Sequence, residues 1–336
     1  MTQQDAVIRL DRLNQFPAGL TDIGPREIAT VLPNPALIMI PGEREDPLFV
    51  STVLHGNETT SFFVLRELAR KYGATPPPRS LMIFVGNVRA MAADARYLPD
   101  QHDFNRIWAD GDSPFHHLVR QVAEAAREQD PFASIDIHNN TGTNPYYGCV
   151  NALRPADLHL AAAFAPVGVF YRNPSTTQSV AFSQFCPAVT IECGKSGDEA
   201  GIAKALWLID HVAALEHFPD HAPPDEAVRL YQTVGSVVVD PASSIAFGDS
   251  GADLALRPDL EAMNFSDLEA GTYWATAREP ARALRVIGEH GDDLTDQFFV
   301  ADGGRISLKR AATPAMITSD ESVIRQDCLG YLMAPL

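Results

Sequence analysis

What most constrains this chain is a regular alternation between residues 36 and 218. Short apolar runs at 36–40, 48–54, 81–85, 133–138 and 188–192 are separated by longer stretches of helical period. The continuous run at 81–85 is typical of a strand covered on both sides, whereas 133–138 alternates apolar with polar residues and reads as a strand on that ground. Between the runs, Phe62, Leu65, Leu68, Ala69 and Tyr72 recur at three- and four-residue steps, the spacing of one helix face. Phe115, Leu118, Val119, Val122 and Ala126 do the same, as do Ile202, Leu206, Ile209, Val212 and Ala213, and a further helix is predicted over 157–164. Strands alternating with helices predict an α/β fold, a mainly parallel sheet with helices on both faces. Near the start, Ile8, Leu10, Leu13 and Phe16 predict a short helix ending at Pro17.

The texture changes after Pro219, Pro223 and Pro224. Short runs such as Ser236-Val237-Val238-Val239 and Phe298-Phe299-Val300 then lie between Gly, Pro and Asp turns, without long helical periods. The expected division is a catalytic domain over 1–222 and a smaller β-rich domain over 223–336. A chain of 336 residues, 46% apolar and 21% charged, has enough core for both. The formal charge of −17 argues against nucleic acid, whose phosphates require a basic surface. No run reaches the length of a membrane span, the first residues show no secretory pattern, and the four cysteines form no CxxC pair. These features lead us to expect a cytoplasmic protein with reduced thiols and no membrane partner.

Four polar residues stand at or just past the ends of the proposed strands: His55, Glu58, His138 and Glu192. Ligands in open α/β sheets bind outside the carboxyl ends of the strands. If the strands are parallel, all four side chains meet at one edge. Two imidazoles and a carboxylate, with one position left open, form the donor set of a catalytic zinc site. Glu192, as a further carboxylate, could then carry the proton. Asp136, two residues before His138 and on the same strand face, is a candidate acceptor behind its ring, though it could equally pair with an arginine.

Other patterns fail on spacing. Gly194-Lys195-Ser196 lacks the earlier glycine of a phosphate-binding loop, because residue 189 is Val. Gly248-Asp249-Ser250-Gly251 does not have the spacing of a nucleophile elbow. His116 and His117 are adjacent and diverge on a helix. Cys193 is expected to be packed rather than reactive.

Five ordered segments bring a family into view: His55-Gly56-Asn57-Glu58, Gly86-Asn87-Val88-Arg89-Ala90 with Arg96-Tyr97, Asp103-Phe104-Asn105-Arg106, Asp136-Ile137-His138-Asn139 and Ile191-Glu192-Cys193-Gly194-Lys195. Together they resemble the succinylglutamate desuccinylase/aspartoacylase family of the zinc carboxypeptidase-like fold. The resemblance implies one Zn2+ per chain held by His55, Glu58 and His138, with Glu192 as general base and acid and Arg96 polarising the scissile carbonyl. It implies that Asn105 and Arg106 bind a substrate carboxylate and that the substrate is a small acyl-amino-acid-like molecule. It leaves room for homo-oligomer formation. The chain departs from the aspartoacylase branch in a longer Arg96-to-Asn105 segment and in the turn Asn139-Asn140-Thr141. Where that branch carries a substrate-binding Arg, Gln178 stands here, with Arg172 as a substitute candidate. The activity implied is hydrolysis of an amide. The alternatives are a zinc carboxypeptidase acting on peptides and a zinc-bound relative that binds a ligand without hydrolysing it.

Overall fold

A computed structural model describes residues 8–248 and 251–336. Asp249 and Ser250 of the rejected elbow, and residues 1–7, lie outside the described residues. The chain divides into two compact units. One contains the residues up to Asn139 together with Tyr146–Arg229, and the other contains Asn140–Pro145 and Leu230–Leu336.

The strands of the first unit are β1 (Asp11–Leu13), β2 (Ala36–Ile40), β3 (Arg44–Thr52), β4 (Arg79–Val85), β5 (Ala133–His138), β6 (Tyr147–Val150), β7 (Val167–Phe170) and β8 (Ala188–Glu192). They form a mixed sheet in the order β1-β2-β4-β3-β5-β8-β6-β7. The centre, β4-β3-β5-β8, is parallel, whereas β2 runs antiparallel to β4 and β6 antiparallel to β8. The helices are α1 (Thr60–Tyr72), α2 (Val88–Ala92), α3 (Pro114–Glu128), α4 (Pro155–Phe164), α5 (Gln178–Phe182) and α6 (Glu199–Ala214). Ser113 caps α3 by accepting from His116 N, and Pro114 supplies the fixed φ of a first turn.

Burial on both faces explains the unbroken apolar runs. Leu48, Val50, Leu81, Ile83, Val85, Ile135, Ile137, Val189 and Ile191 pack in one core with α1, α4 and α6. The intervening Phe49, Met82, Phe84 and Ala188 pack in the other core with α3 and α5. The period of two along each strand divides its side chains between these layers. β3 lies between β4 and β5: the chain leaves its carboxyl end through α1 to β4 on one side, and from β4 it returns through α3, over the other face, to β5 on the opposite side, the reversal at which α/β sheets form a ligand crevice.

The helix expected over Ile8–Phe16 is not formed. Asp11–Leu13 is a short strand parallel to β2, with Asp11 N donating to Pro35 O at 2.9 Å. Ile8 and Leu10 pack against the α3-side core and Leu13 and Phe16 against the other. An extended chain can deliver side chains to both cores in this way, and a single helix face cannot.

The second unit is rich in strand. β9 (Arg229–Val239) pairs antiparallel with β13 (Leu284–Gly288) and β17 (Gly330–Pro335), and β17 pairs with β16 (Thr313–Ala315). A separate sheet orders β10 (Ile245–Phe247), β11 (Leu254–Leu256), β12 (Tyr273–Ala277), β15 (Arg305–Leu308) and β14 (Phe299–Asp302). Trp274, Leu254, Leu256, Val286 and Ile306 lie in its core. Glu261 accepts from Thr143 and Ser319 and thereby ties segment 140–145 into this unit. Among the described residues, no helix is long and apolar enough to cross a membrane.

Candidate metal centre

β3 ends in an unusual turn. Val53 has φ of +58°, a left-handed conformation that a β-branched residue adopts only under constraint. Ser61 Oγ supplies part of that constraint, accepting from Val53 N at 3.0 Å and donating to Glu58 O at 3.1 Å. The turn then passes tightly beside α2. A Cβ on Gly56 would lie 2.1 Å from the backbone of Ala90, so only glycine fits. The result directs His55 and Glu58 toward the carboxyl end of β5.

His55, Glu58 and His138 are all buried, and one donor atom from each lies within 4.8 Å of the others. Glu58 stands between the rings, with Oε1 2.7 Å from His55 Nδ1 and Oε2 2.8 Å from His138 Nδ1. The far nitrogens have carboxylates of their own. His55 Nε2 lies 2.9 Å from Asp103 Oδ1, and His138 Nε2 lies 2.9 Å from Asp136 Oδ2. A carboxylate at Nε2 favours the tautomer with its proton there and leaves the Nδ1 lone pair facing inward. The donor set therefore fits a borderline dication such as Zn2+.

The electrostatics favour a cation as well. Burial pushes the Glu58 carboxyl up, but His55 and His138 hold it well below the usual range. Burial opposes a charge on His138, yet Asp136 and Glu58 draw it well above an ordinary imidazole. Burial likewise pushes Asp103 up, and His55 and Arg96 hold it well below a normal aspartate. Carboxylates this close, with little solvent, require positive charge among them.

Glu192 completes the row. Its Cα is in register with His138 across the parallel β5–β8 pair and with Tyr147 across the antiparallel β8–β6 pair. Paired neighbours in a sheet project to one face. Burial pushes the Glu192 carboxyl up to about 7, with Glu58 and Asp136 adding to the rise and His138 and His55 opposing it. Its Oε2 is buried and has no hydrogen-bond partner among the described residues.

The remaining predicted residues divide into two groups. Arg96 donates to Asp103 Oδ2 from Nε at 3.0 Å and Nη2 at 2.9 Å, with Nη1 3.8 Å from Glu58 Oε1. Asn105 is also in the cluster, with Nδ2 3.2 Å from His138 Nε2 and Oδ1 accepting from Gln178 N at 2.9 Å. Arg106 is half-buried and donates to Asn105 O at 3.0 Å. Gln178 stands behind this layer, fully buried, its amide donating to Ser134 Oγ at 3.0 Å. Arg172 is exposed, with its guanidinium 5.3 Å from the Phe170 ring centroid. The sequence reading did not assign Asp103 behind His55 or Asn139 as a tie between segments. The only signal for the first was its place in Asp103-Phe104-Asn105-Arg106.

Residues 46–211 match the succinylglutamate desuccinylase/aspartoacylase catalytic domain. A curated succinylglutamate desuccinylase from Burkholderia orbicola is 29% identical over 178 residues, 44% of this chain and 49% of that protein. The match thus spans about half of the relative's length. Among solved structures, the chain is similar to succinylglutamate desuccinylase/aspartoacylase from Rhodobacter sphaeroides, with TM-score 0.60, 16% identity and coverage of 89% of this chain and 88% of the other. Murine aminoacylase 3 gives TM-score 0.56 and 16% identity, covering 88% of this chain and 96% of the other. Succinylglutamate desuccinylase from Chromobacterium violaceum gives TM-score 0.56 and 17% identity, covering 87% and 85%. These structural likenesses carry the fold. The five ordered motifs fall within the catalytic-domain match, and residues 46–211 are a succinylglutamate desuccinylase/aspartoacylase family catalytic domain.

Proposed function

We propose that this chain is a zinc-dependent deacylase that hydrolyses the amide of a small N-acyl amino acid. One observation carries the reading: a His55–Glu58–His138 donor group lies beside a buried Glu192 whose Oε2 has no hydrogen-bond partner among the described residues. Zn2+ held by Nδ1 of both histidines and by Glu58 would supply Lewis acidity and bring the pKa of a water toward neutrality. Glu192 accepts a proton from the attacking water and delivers it to the departing amine nitrogen. A carboxyl poised near neutral pH suits both transfers. Arg96, anchored through Asp103, presents its guanidinium to the carbonyl oxygen as negative charge develops there. Arg106 receives the carboxylate of the amino-acid half in its planar fork, with Asn105 beside it.

The test is turnover of N-acyl amino acids of varied acyl and side-chain charge by zinc-loaded protein. The reading expects release of free amine that stops on chelation and returns with Zn2+. Zinc-loaded protein that releases none across the panel, while binding the metal, would contradict it.

A further inference from the structure

Asn139 follows the ligand His138 at the end of β5 and is 6% exposed. Its backbone N–H donates to Glu58 Oε2 at 3.0 Å, the same oxygen that faces His138 Nδ1. Its side chain binds two further segments. Oδ1 accepts from Thr60 N in the first turn of α1 at 3.2 Å, and Nδ2 donates to Thr60 Oγ1 at 2.9 Å. The same Nδ2 faces Gly194 O at 3.0 Å, Lys195 O at 3.2 Å and Cys193 O at 3.5 Å, carbonyls of the turn directly after Glu192. Thr60 Oγ1 also accepts from Gly197 N at 3.2 Å, so the hydroxyl and the amide close one network. One residue thus joins the segment carrying Glu58, the strand end carrying His138 and the strand end carrying Glu192.

We propose that Asn139 is a positioning residue that sets Glu58 and Glu192 at their working separation. Only an amide serves here. It offers an acceptor to a helix-start N–H and a donor to strand-end carbonyls, whereas a carboxylate of the same size would place an anion against those carbonyls. The inference rests on the metal-hydrolase reading and concerns how its parts are held. Asn139 acts through Glu58 and the turn beyond Glu192, and small misplacement of reacting groups is costly to turnover.

The test compares wild type with Asn139→Asp, Thr60→Val and Thr60→Ser, each loaded with Co2+ for its visible absorption and with Zn2+ for kinetics. Asn139→Asp should lower kcat by about tenfold to a hundredfold, with KM within about threefold of wild type. Its Co2+ spectrum should change shape, reporting a reoriented Glu58. Thr60→Val, which removes the shared hydroxyl, should move both readouts the same way by a smaller amount, and Thr60→Ser, which keeps it, should restore them. If Asn139→Asp does not fold, the Thr60 pair decides the matter. Thr60→Val with unchanged kcat and an unchanged spectrum, or Thr60→Ser no better than Thr60→Val, overturns the inference. Wild type that takes up no Co2+ overturns the metal reading and this inference with it. Wild type that loads normally while the variants match it overturns the inference alone.

Discussion

The two imidazoles of the centre have the same wiring and different supports. Each turns Nδ1 toward Glu58 and Nε2 toward an aspartate. His138 and Asp136 lie two residues apart on one strand, so the β5 ladder alone places them on one face, and Asp136 is completely buried. Asp103 comes from a loop 48 residues away and is held by Arg96, its side chain 14% exposed. The strand half is fixed by backbone pairing, and the loop half by an ion pair. The same electrostatic task therefore has a rigid answer and an adjustable one, and the adjustable one adjoins Asn105 and Arg106.

Expected effects rank accordingly. The largest comes from Glu192→Gln, which keeps shape and removes the proton acceptor we propose. Zinc should remain bound while kcat falls by about 10²–10⁴-fold, read by steady-state kinetics with metal analysis. Retained turnover would remove Glu192 from the mechanism. Arg96→Gln should follow, with kcat lower by about 10²-fold or more, since it loses both the guanidinium and the anchor of Asp103. The comparison itself is tested by Asp136→Asn against Asp103→Asn. Either should weaken zinc by about 10- to 100-fold in a competitive chelator titration, with Asp136→Asn the more damaging because its buried neighbours cannot rearrange. Equal losses would break the distinction between the two halves.

A separate effect is thermodynamic. Glu192 is pushed up to about 7 from an ordinary 4.5. A carboxyl raised on folding stabilises the fold below the unfolded pKa, and that contribution is lost as pH rises through the folded pKa. Metal-free wild type should therefore lose stability, of order 3 kcal/mol, between about pH 4.5 and 7, relative to Glu192→Gln. Denaturant unfolding of both proteins across that range reads the difference. A gap that does not widen with pH would contradict the burial assigned to Glu192.

The parts legible in sequence were those fixed by local pattern. β4 and α1 announce themselves through an unbroken apolar run and a clean helical stripe, and His55, Glu58, His138 and Glu192 stand at element ends. What escaped depends on distance along the chain. Asp103 reaches His55 only after the 96–106 loop folds back, and nothing local in Asn139 foretells its bonds to Thr60 and Gly194. Ile8–Phe16 misled because spacing that suits one helix face also suits an extended segment shared between two cores. β6 and β7 are four residues each, too short for period to separate them from loop.

The central claim is that His55, Glu58 and His138 hold one metal ion. Its most direct measurement is zinc stoichiometry by elemental analysis after dialysis against limiting free Zn2+, for wild type and for His138→Ala. The account predicts one zinc per chain in wild type and a large loss in His138→Ala, with secondary structure by circular dichroism preserved. Wild type that stays metal-free, or His138→Ala that retains a full equivalent, would contradict it.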